Sequence, residues 1–193
     1  MIMLNQALQF VLQNLVNLFL IALLLRFYMQ WARVPFHNPF AQFVVKLTDF
    51  AVRPLRRVIP GIFGVDMGTL LLALLLEFVL LLMLFGLDGY PFAAAGSGVL
   101  PAFVLLAAVH LTSLAIYTLI GLVVVMAVLS MVNPLSPLMP VFASLAAPLL
   151  RPFRRMIPPI ANFDLSPLVF LLLCQLIIML PLAWLERVAR GML

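Results

Sequence analysis

Charge is the scarcest property of this chain. Only 9% of its 193 residues are Asp, Glu, Lys or Arg, against roughly 25% in ordinary globular proteins. Disordered chains are polar and highly charged, so disorder is excluded. With 66% hydrophobic residues, a water-soluble fold is excluded too, because a small fold leaves much of its surface exposed. The solvent is lipid. Cysteine is nearly absent. Cys174 stands alone in the apolar run 168–180, so no internal disulfide is possible, and it reads as a small buried hydrophobe. Two histidines far apart and no cysteine cluster leave no structural zinc site. No basic n-region precedes the first apolar stretch and no small-x-small site follows it, so a signal peptide is not expected. A phosphate-cradling Gly-rich loop, an HExxH motif and a GxSxG motif are all missing. Neither an enzyme nor a bound cofactor is expected.

Four stretches are long enough to cross ~30 Å of hydrocarbon, which takes about 20 helical residues. They run roughly over residues 7–26, 67–87, 102–131 and 167–185. An all-α, polytopic membrane fold follows. The net charge of +5 comes from eleven Lys and Arg and six acids. In a lipid-embedded chain it argues for anionic headgroups, not nucleic acid. Arg26, Arg33, Lys46, Arg53, Arg56 and Arg57 flank or occupy the first connection, and Arg151, Arg154 and Arg155 occupy the third. No Lys or Arg lies between Arg57 and Arg151. Positive loops stay in the cytoplasm. The first and third connections are therefore expected inside, and both termini and the loop 86–101 outside. Arg187 and Arg190 oppose this arrangement, two charges against nine.

The chain repeats itself. Arg53-Pro54-Leu55-Arg56-Arg57-Val58-Ile59-Pro60 returns as Arg151-Pro152-Phe153-Arg154-Arg155-Met156-Ile157-Pro158. The offset of 98 residues also aligns Pro39 with Pro137, Asp66 with Asp164 and Glu77 with Gln175. Residues 1–98 and 99–193 thus read as two repeats. Each has a span, a cytoplasmic segment and a returning span, so the repeats share one orientation. In the first segment Asn38 suits an N-cap and Pro39 the first helical position. Phe40, Phe43, Val44, Leu47 and Phe50 form one apolar face, opposite Gln42, Lys46, Asp49 and Arg53. A helix over 39–52 is too short to span and is expected in the membrane interface, or packed against a partner or another loop of the same protein. The second segment, 137–150, is expected to start at Ser136 and Pro137 and to be interrupted by Pro140 and Pro148. It is apolar nearly all round, so deeper burial is expected.

The two Arg-Pro-x-Arg-Arg blocks end these segments. A residue before proline is biased away from the helix, so Arg53 and Arg151 are expected extended. The guanidiniums of Arg53, Arg56, Arg57, Arg151, Arg154 and Arg155 set topology and anchor anionic lipid, or dock a protein or an anionic ligand. Asp66 and Asp164 suit helix caps.

These motifs carry a resemblance. The basic blocks, Asn38-Pro39-Phe40-x-Gln42-Phe43, and the Asp-x-x-x-x-Leu-Leu start of the returning helix resemble the YggT/YlmG family, in its two-repeat Gram-negative form. The resemblance implies a multi-pass inner-membrane protein associated with tolerance of osmotic or envelope stress. It implies no catalytic residues.

A second feature lies inside the spans. Asn5, Gln6, Gln9, Gln13 and Asn17 follow one side of the first helix, with Asn14 beside them. In the third, His110, Ser113 and Tyr117 fall on one side. At 1.5 Å per residue, Glu77, Gln175, Asn14 and His110 converge near mid-membrane. Charge there costs ~2.5–3.5 kcal/mol, so Glu77 is expected to face the bundle and His110. The layer Asn14, Asn17, Glu77, His110, Ser113 and Gln175 is polar glue between helices, or part of an ion or proton pathway. Two functions are therefore carried forward. One is a membrane scaffold that meets lipid and membrane-protein partners, or further copies of itself, through the basic segments. The other is a small ion channel or transporter component.

Overall fold

The computed structural model describes residues 2–33, 38–56, 66–92, 96, 98–156 and 164–193. The described residues form helices α1 (Ile2–Trp31), α2 (Pro39–Leu55), α3 (Met67–Leu87), α4 (Val99–Val132), α5 (Met139–Met156), α6 (Ser166–Ile177) and α7 (Ala183–Arg190). A π-helical turn, Ile178–Leu182, joins α6 to α7. Four units are long and apolar enough to cross a membrane: Met3–Trp31, Met67–Leu87, Val99–Val132 and Ser166–Arg190. At 1.5 Å per residue α1 and α4 are ~45 Å and ~51 Å long, more than the hydrocarbon needs.

The three longest helices pack against one another, with α3 touching both α1 and α4. Leu20, Leu23 and Leu24 of α1, Leu72 and Ala73 of α3, Leu111 of α4 and Val52 of α2 share one buried cluster. A second joins Tyr28 and Met29 to Val123 of α4 and Leu145 of α5. Helices α2 and α5 lie at the same end of the bundle. The rings of Phe40 and Phe142 stand 5.3 Å apart, and the Tyr28 hydroxyl donates to the Leu145 carbonyl at 2.6 Å. At the opposite end, Asn5 and Gln9 of α1 donate to the Leu87 carbonyl and the Asp88 carboxylate. These bonds occupy acceptors where α3 ends and its last carbonyls lack helical partners. Gly89 turns the chain there at φ 78, a left-handed conformation natural to glycine.

Asn38 caps α2 by accepting from the Ala41 amide at 2.7 Å, with Pro39 behind it. The helix divides into three sectors instead of two. Ala41, Val44, Thr48 and Val52 are buried against the bundle. Phe43 and Phe50, 62% and 73% exposed, form a separate apolar sector with Leu47. Gln42, Lys46, Asp49 and Arg53 make the third. Periodicity locates an apolar side, but small residues sit where helices come closest, so Ala41 and Thr48 face inward and Phe43 does not.

Arg26 locks α2 onto α1. It is 3% exposed, and its guanidinium donates to Thr48 Oγ1 at 2.8 Å and meets the Asp49 carboxylate at 2.8 Å. A buried charge is tolerable only when paired and hydrogen-bonded.

Three sequence expectations are corrected here. Arg53 and Arg151 are helical, not extended, because α2 and α5 run through Pro54 and Pro152. Pro54 leaves the Phe50 carbonyl without its helical amide, but α2 ends at the next residue and the Arg56 amide still closes on the Val52 carbonyl at 3.1 Å. Pro140 and Pro148 do not interrupt α5. The first lies at the start of the helix, where its missing N–H is harmless. Around the second, burial of Val141, Phe142, Leu145, Ala146 and Leu150 holds the helix together. Nor does Ser136 open α5 directly: it forms a turn, its hydroxyl accepting from the Leu138 amide, and the helix begins at Met139.

Thr48→Val should loosen α2 without changing its shape, by removing one oxygen partner of a buried guanidinium. A loss of about 1–3 kcal/mol is expected, read as the shift in a denaturant unfolding midpoint in micelles. An unchanged midpoint would mean that Arg26 is satisfied without Thr48.

Candidate functional site

The basic blocks and the membrane interior hold separate constellations. At the end of α2, Arg56 donates through Nε to the Asp66 carboxylate. Asp66 also accepts from the amide and hydroxyl of Thr69, and its own amide donates to Gln30 Oε1 of α1. The second block repeats the clasp. Arg154 Nε reaches Asp164 Oδ2 at 2.8 Å, and Asp164 Oδ1 accepts from the Ser166 amide. Each arginine thus ties the end of a short helix to the start of the returning span. Burial pushes the Asp66 carboxyl upward, but the hydrogen bonds from Arg56 and Thr69 outweigh it and hold the group below its usual value of 3.8. Asp164 is lowered in the same way, with Ser166 and Arg154 overcoming the effect of burial.

Of the other block residues, Arg53, Arg151 and Arg155 are exposed and make no ion pair with a described residue. Arg57 lies outside the described residues. The guanidiniums read from the sequence as one set therefore divide. Arg56 and Arg154, though about half exposed, are tied to carboxylates, and the other three are exposed at the α2/α5 end without such a tie among the described residues. Only the fold could show this, because the carboxylate partners lie ten residues downstream of the arginines they hold.

The second constellation lies within the spans. Glu77, 4% exposed, sits eleven residues after Asp66 and eleven before Asp88, ~16 Å from each end of α3. His110 of α4 faces it, Nδ1 to Oε1 at 3.4 Å. The other ring nitrogen, Nε2, stands 3.7 Å from Glu186 Oε1 of α7, and Glu186 is paired with Arg190 at 2.8 Å. A cleft of about 350 Å³ surrounds the group, lined also by Gln13, Asn17, Ser113 and Tyr117. Among the described residues, no group of His, Cys, Asp and Glu is arranged to hold a metal ion.

The structure keeps Glu77, His110, Asn17 and Ser113 at this cleft, although the Ser113 hydroxyl donates to the Val109 carbonyl of its own helix. It removes two residues from the expected layer. Asn14 is exposed on the outer side of α1 and donates to the Phe10 carbonyl, and Gln175 is exposed on α6. Equal depth does not give equal direction: each step along a helix turns the side chain by about 100°, so Asn14 points away from the neighbouring Gln13 and Gln175 away from the neighbouring, buried Cys174. Glu186 was missed, because the fourth span was ended at residue 185. Pro181 carried the signal. It lacks an amide hydrogen, and in the wide turn around it the ladder shifts from i+4 to i+5 bonding. The helix then continues as α7, which packs on α4 and sets Glu186 beside His110.

Four long apolar helices and ionisable groups paired inside the bundle define an all-α, multi-pass membrane protein. The CCB3/YggT family model matches residues 5–87 and 105–185, and the chain belongs to that family. It is similar to YggT of Escherichia coli (strain K12), 38% identical over 170 residues, covering 88% of this chain and 86% of the relative. A Pseudomonas aeruginosa protein, PA0392, is 37% identical over 182 residues, covering 93% and 90%. A Vibrio alginolyticus protein encoded in the proC 3' region is 35% identical over 167 residues, covering 84% and 86%. No solved structure matches the chain.

The two clasps should differ in strength. Asp66 is almost fully buried beside Arg56, whereas Asp164 is about a third exposed. Arg56→Gln is expected to destabilise by about 1.5–3 kcal/mol, as for a hydrogen bond to a charged group, and Arg154→Gln by less than about 1 kcal/mol. Denaturant unfolding of both variants checks the order. A carboxyl lowered in the folded state contributes fully above its ordinary value and is lost as pH falls through the folded one. The clasps should therefore hold at pH 5 and fail only below about pH 4, and Asp66→Asn should flatten that acid limb.

Proposed function

We propose that this chain is a non-catalytic scaffold of the bacterial inner membrane that engages anionic lipid at one surface, and there meets protein partners or further copies of itself. It is built as two repeats of like orientation, residues 1–98 and 99–193, each with a helix lying in the cytoplasmic interface. The three-sided division of α2 carries this reading. Ala41, Val44, Thr48 and Val52 hold the helix to the bundle. Phe43, Leu47 and Phe50 suit acyl chains, and the sector of Gln42, Lys46 and Arg53 suits headgroups and water. A soluble helix needs only two of these surfaces.

The charge at that end supports the same reading. Exposed Arg53, Arg151 and Arg155 each contribute about 1 kcal/mol beside anionic lipid. At the opposite end stand Arg187 and Arg190, two charges against the nine of the first and third connections, which supports α2 and α5 in the cytoplasm and the termini in the periplasm. Membership of the family supports a role in tolerance of osmotic or envelope stress.

Replacing Arg53, Arg151 and Arg155 together by Gln should cost about 3 kcal/mol of preference for anionic over zwitterionic lipid, roughly 100-fold. Partitioning of spin-labelled phosphatidylglycerol and phosphatidylcholine around the purified protein in nanodiscs measures it. Unchanged selectivity would refute the lipid role.

Orientation is tested by Arg155→Cys in a Cys174→Ala background. An impermeant thiol reagent should label it in inverted vesicles and not in intact spheroplasts. Labelling from outside would reverse the topology.

A further inference from the structure

The lipid reading leaves the ionisable group within the spans without a role. We propose that Glu77, His110 and Glu186 form a proton-binding site, reached by water only from the end of the molecule that carries Asp88 and Arg190.

Charge balance comes first. The groups facing the site are Glu77 on α3, His110 and the Tyr117 hydroxyl on α4, and Glu186 with Arg190 on α7. From α1 come only the neutral amides of Gln13 and Asn17, and from the π turn Ile178. Asp88 stands at the outer rim. Arg190 offsets Glu186. Among the described residues, Glu77 has no cation beside it except a protonated His110. An unbalanced carboxylate near the centre of a bilayer is expensive. The group therefore reaches neutrality with one added proton, either on Glu77 or on the imidazole.

The geometry gives that proton a route. Both ring nitrogens face a carboxylate oxygen, Nε2 towards Glu186 and Nδ1 towards Glu77. A neutral imidazole carries one N–H and one lone pair, so it can gain a proton at one nitrogen and release one from the other. On loading, an O–H bond of hydronium breaks, leaving water, and an N–H bond forms at Nε2, directly or through Glu186. The Nδ1–H bond then breaks as an O–H bond forms on Glu77. Unloading reverses each step, and no other reactant is needed.

Among the described residues, the polar clefts run from the site towards one end. A second cleft of about 620 Å³, lined by Gln9, Asp88 and Arg190, shares Gln13, Leu81, Leu84 and His110 with the cleft around the triad. Together they make a polar path from the Asp88 end to His110, with room for many waters at ~30 Å³ each. Towards α2 and α5 the next hollow shares only Tyr117 with the triad's cleft. Ile21, Leu25, Phe40, Leu122, Val125 and Phe142 line it, and the Thr118 hydroxyl there already donates to Leu114. An apolar hollow of this kind stays dry. The site therefore loads from one face and does not conduct.

The test is infrared difference spectroscopy on the full chain in lipid, with His37→Gln so that His110 is the sole histidine. Acidifying the buffer should raise a carboxylic C=O band or an imidazolium band that is lost in both Glu77→Gln and His110→Gln. Glu186 lies at the exposed edge, so Glu186→Gln tests the site even if Glu77→Gln does not fold: it should shift or remove the same band. In sealed proteoliposomes the band should follow pH on the Asp88 face alone, and an imposed pH gradient should not decay faster than in empty vesicles. Absence of a band sensitive to these substitutions would overturn the proposal. So would a response to pH on the α2/α5 face, or sustained proton flux through the protein.

Discussion

Arg26 is charged and buried, so α1 cannot close against its neighbours unless that charge is met. Thr48 and Asp49 meet it, and both lie on α2. The pairing sets where α2 lies along the end of the bundle. The position of α2 in turn sets Arg56, which holds Asp66 at the start of α3. Asp66 then takes an amide and a hydroxyl from Thr69 and opens the helix. Eleven residues on, Glu77 reaches mid-bundle opposite His110. Arg26 and Arg56 are each met by a partner on the next element, Asp66 caps the helix it opens, and Glu77 is left facing a histidine.

The second half uses the same clasp with a looser fit. Arg154 and Asp164 form the pair, but Asp164 is more exposed than Asp66, and Ser166 supplies only its amide where Thr69 supplies amide and hydroxyl. The returning span then departs from its counterpart. Gln175, aligned with Glu77, is exposed, and its helix is broken into a wide turn before Glu186. Of the two aligned positions, only the first therefore places a carboxylate in the bundle. The second half brings its carboxylate in eleven residues later.

Lipid as solvent explains why the sequence was readable in some places and not in others. Spans were legible because backbone groups in hydrocarbon must bond within their own helix, which forces long apolar runs. Cap residues such as Asn38 and Asp66 were legible because they act on amides two or three residues away. The inward sector of α2 was not. In water, the apolar side of a helix is the buried side. On α2 apolar residues occupy both a buried and an exposed sector, so Phe43 and Val44 looked equivalent.

The sequence by itself determined the all-helical class, the four long apolar helices, the family and the depth of each polar group, because length, composition and rise per residue are local quantities. Tertiary structure alone decided direction and partnership. It turned Asn14 and Gln175 outward, bound Arg56 and Arg154 to carboxylates while leaving Arg53, Arg151 and Arg155 exposed, and brought Glu186 beside His110 through the turn at Pro181. Depth along a helix is fixed by counting residues. Azimuth around it depends on which neighbour packs there, and no count along one chain segment contains that information.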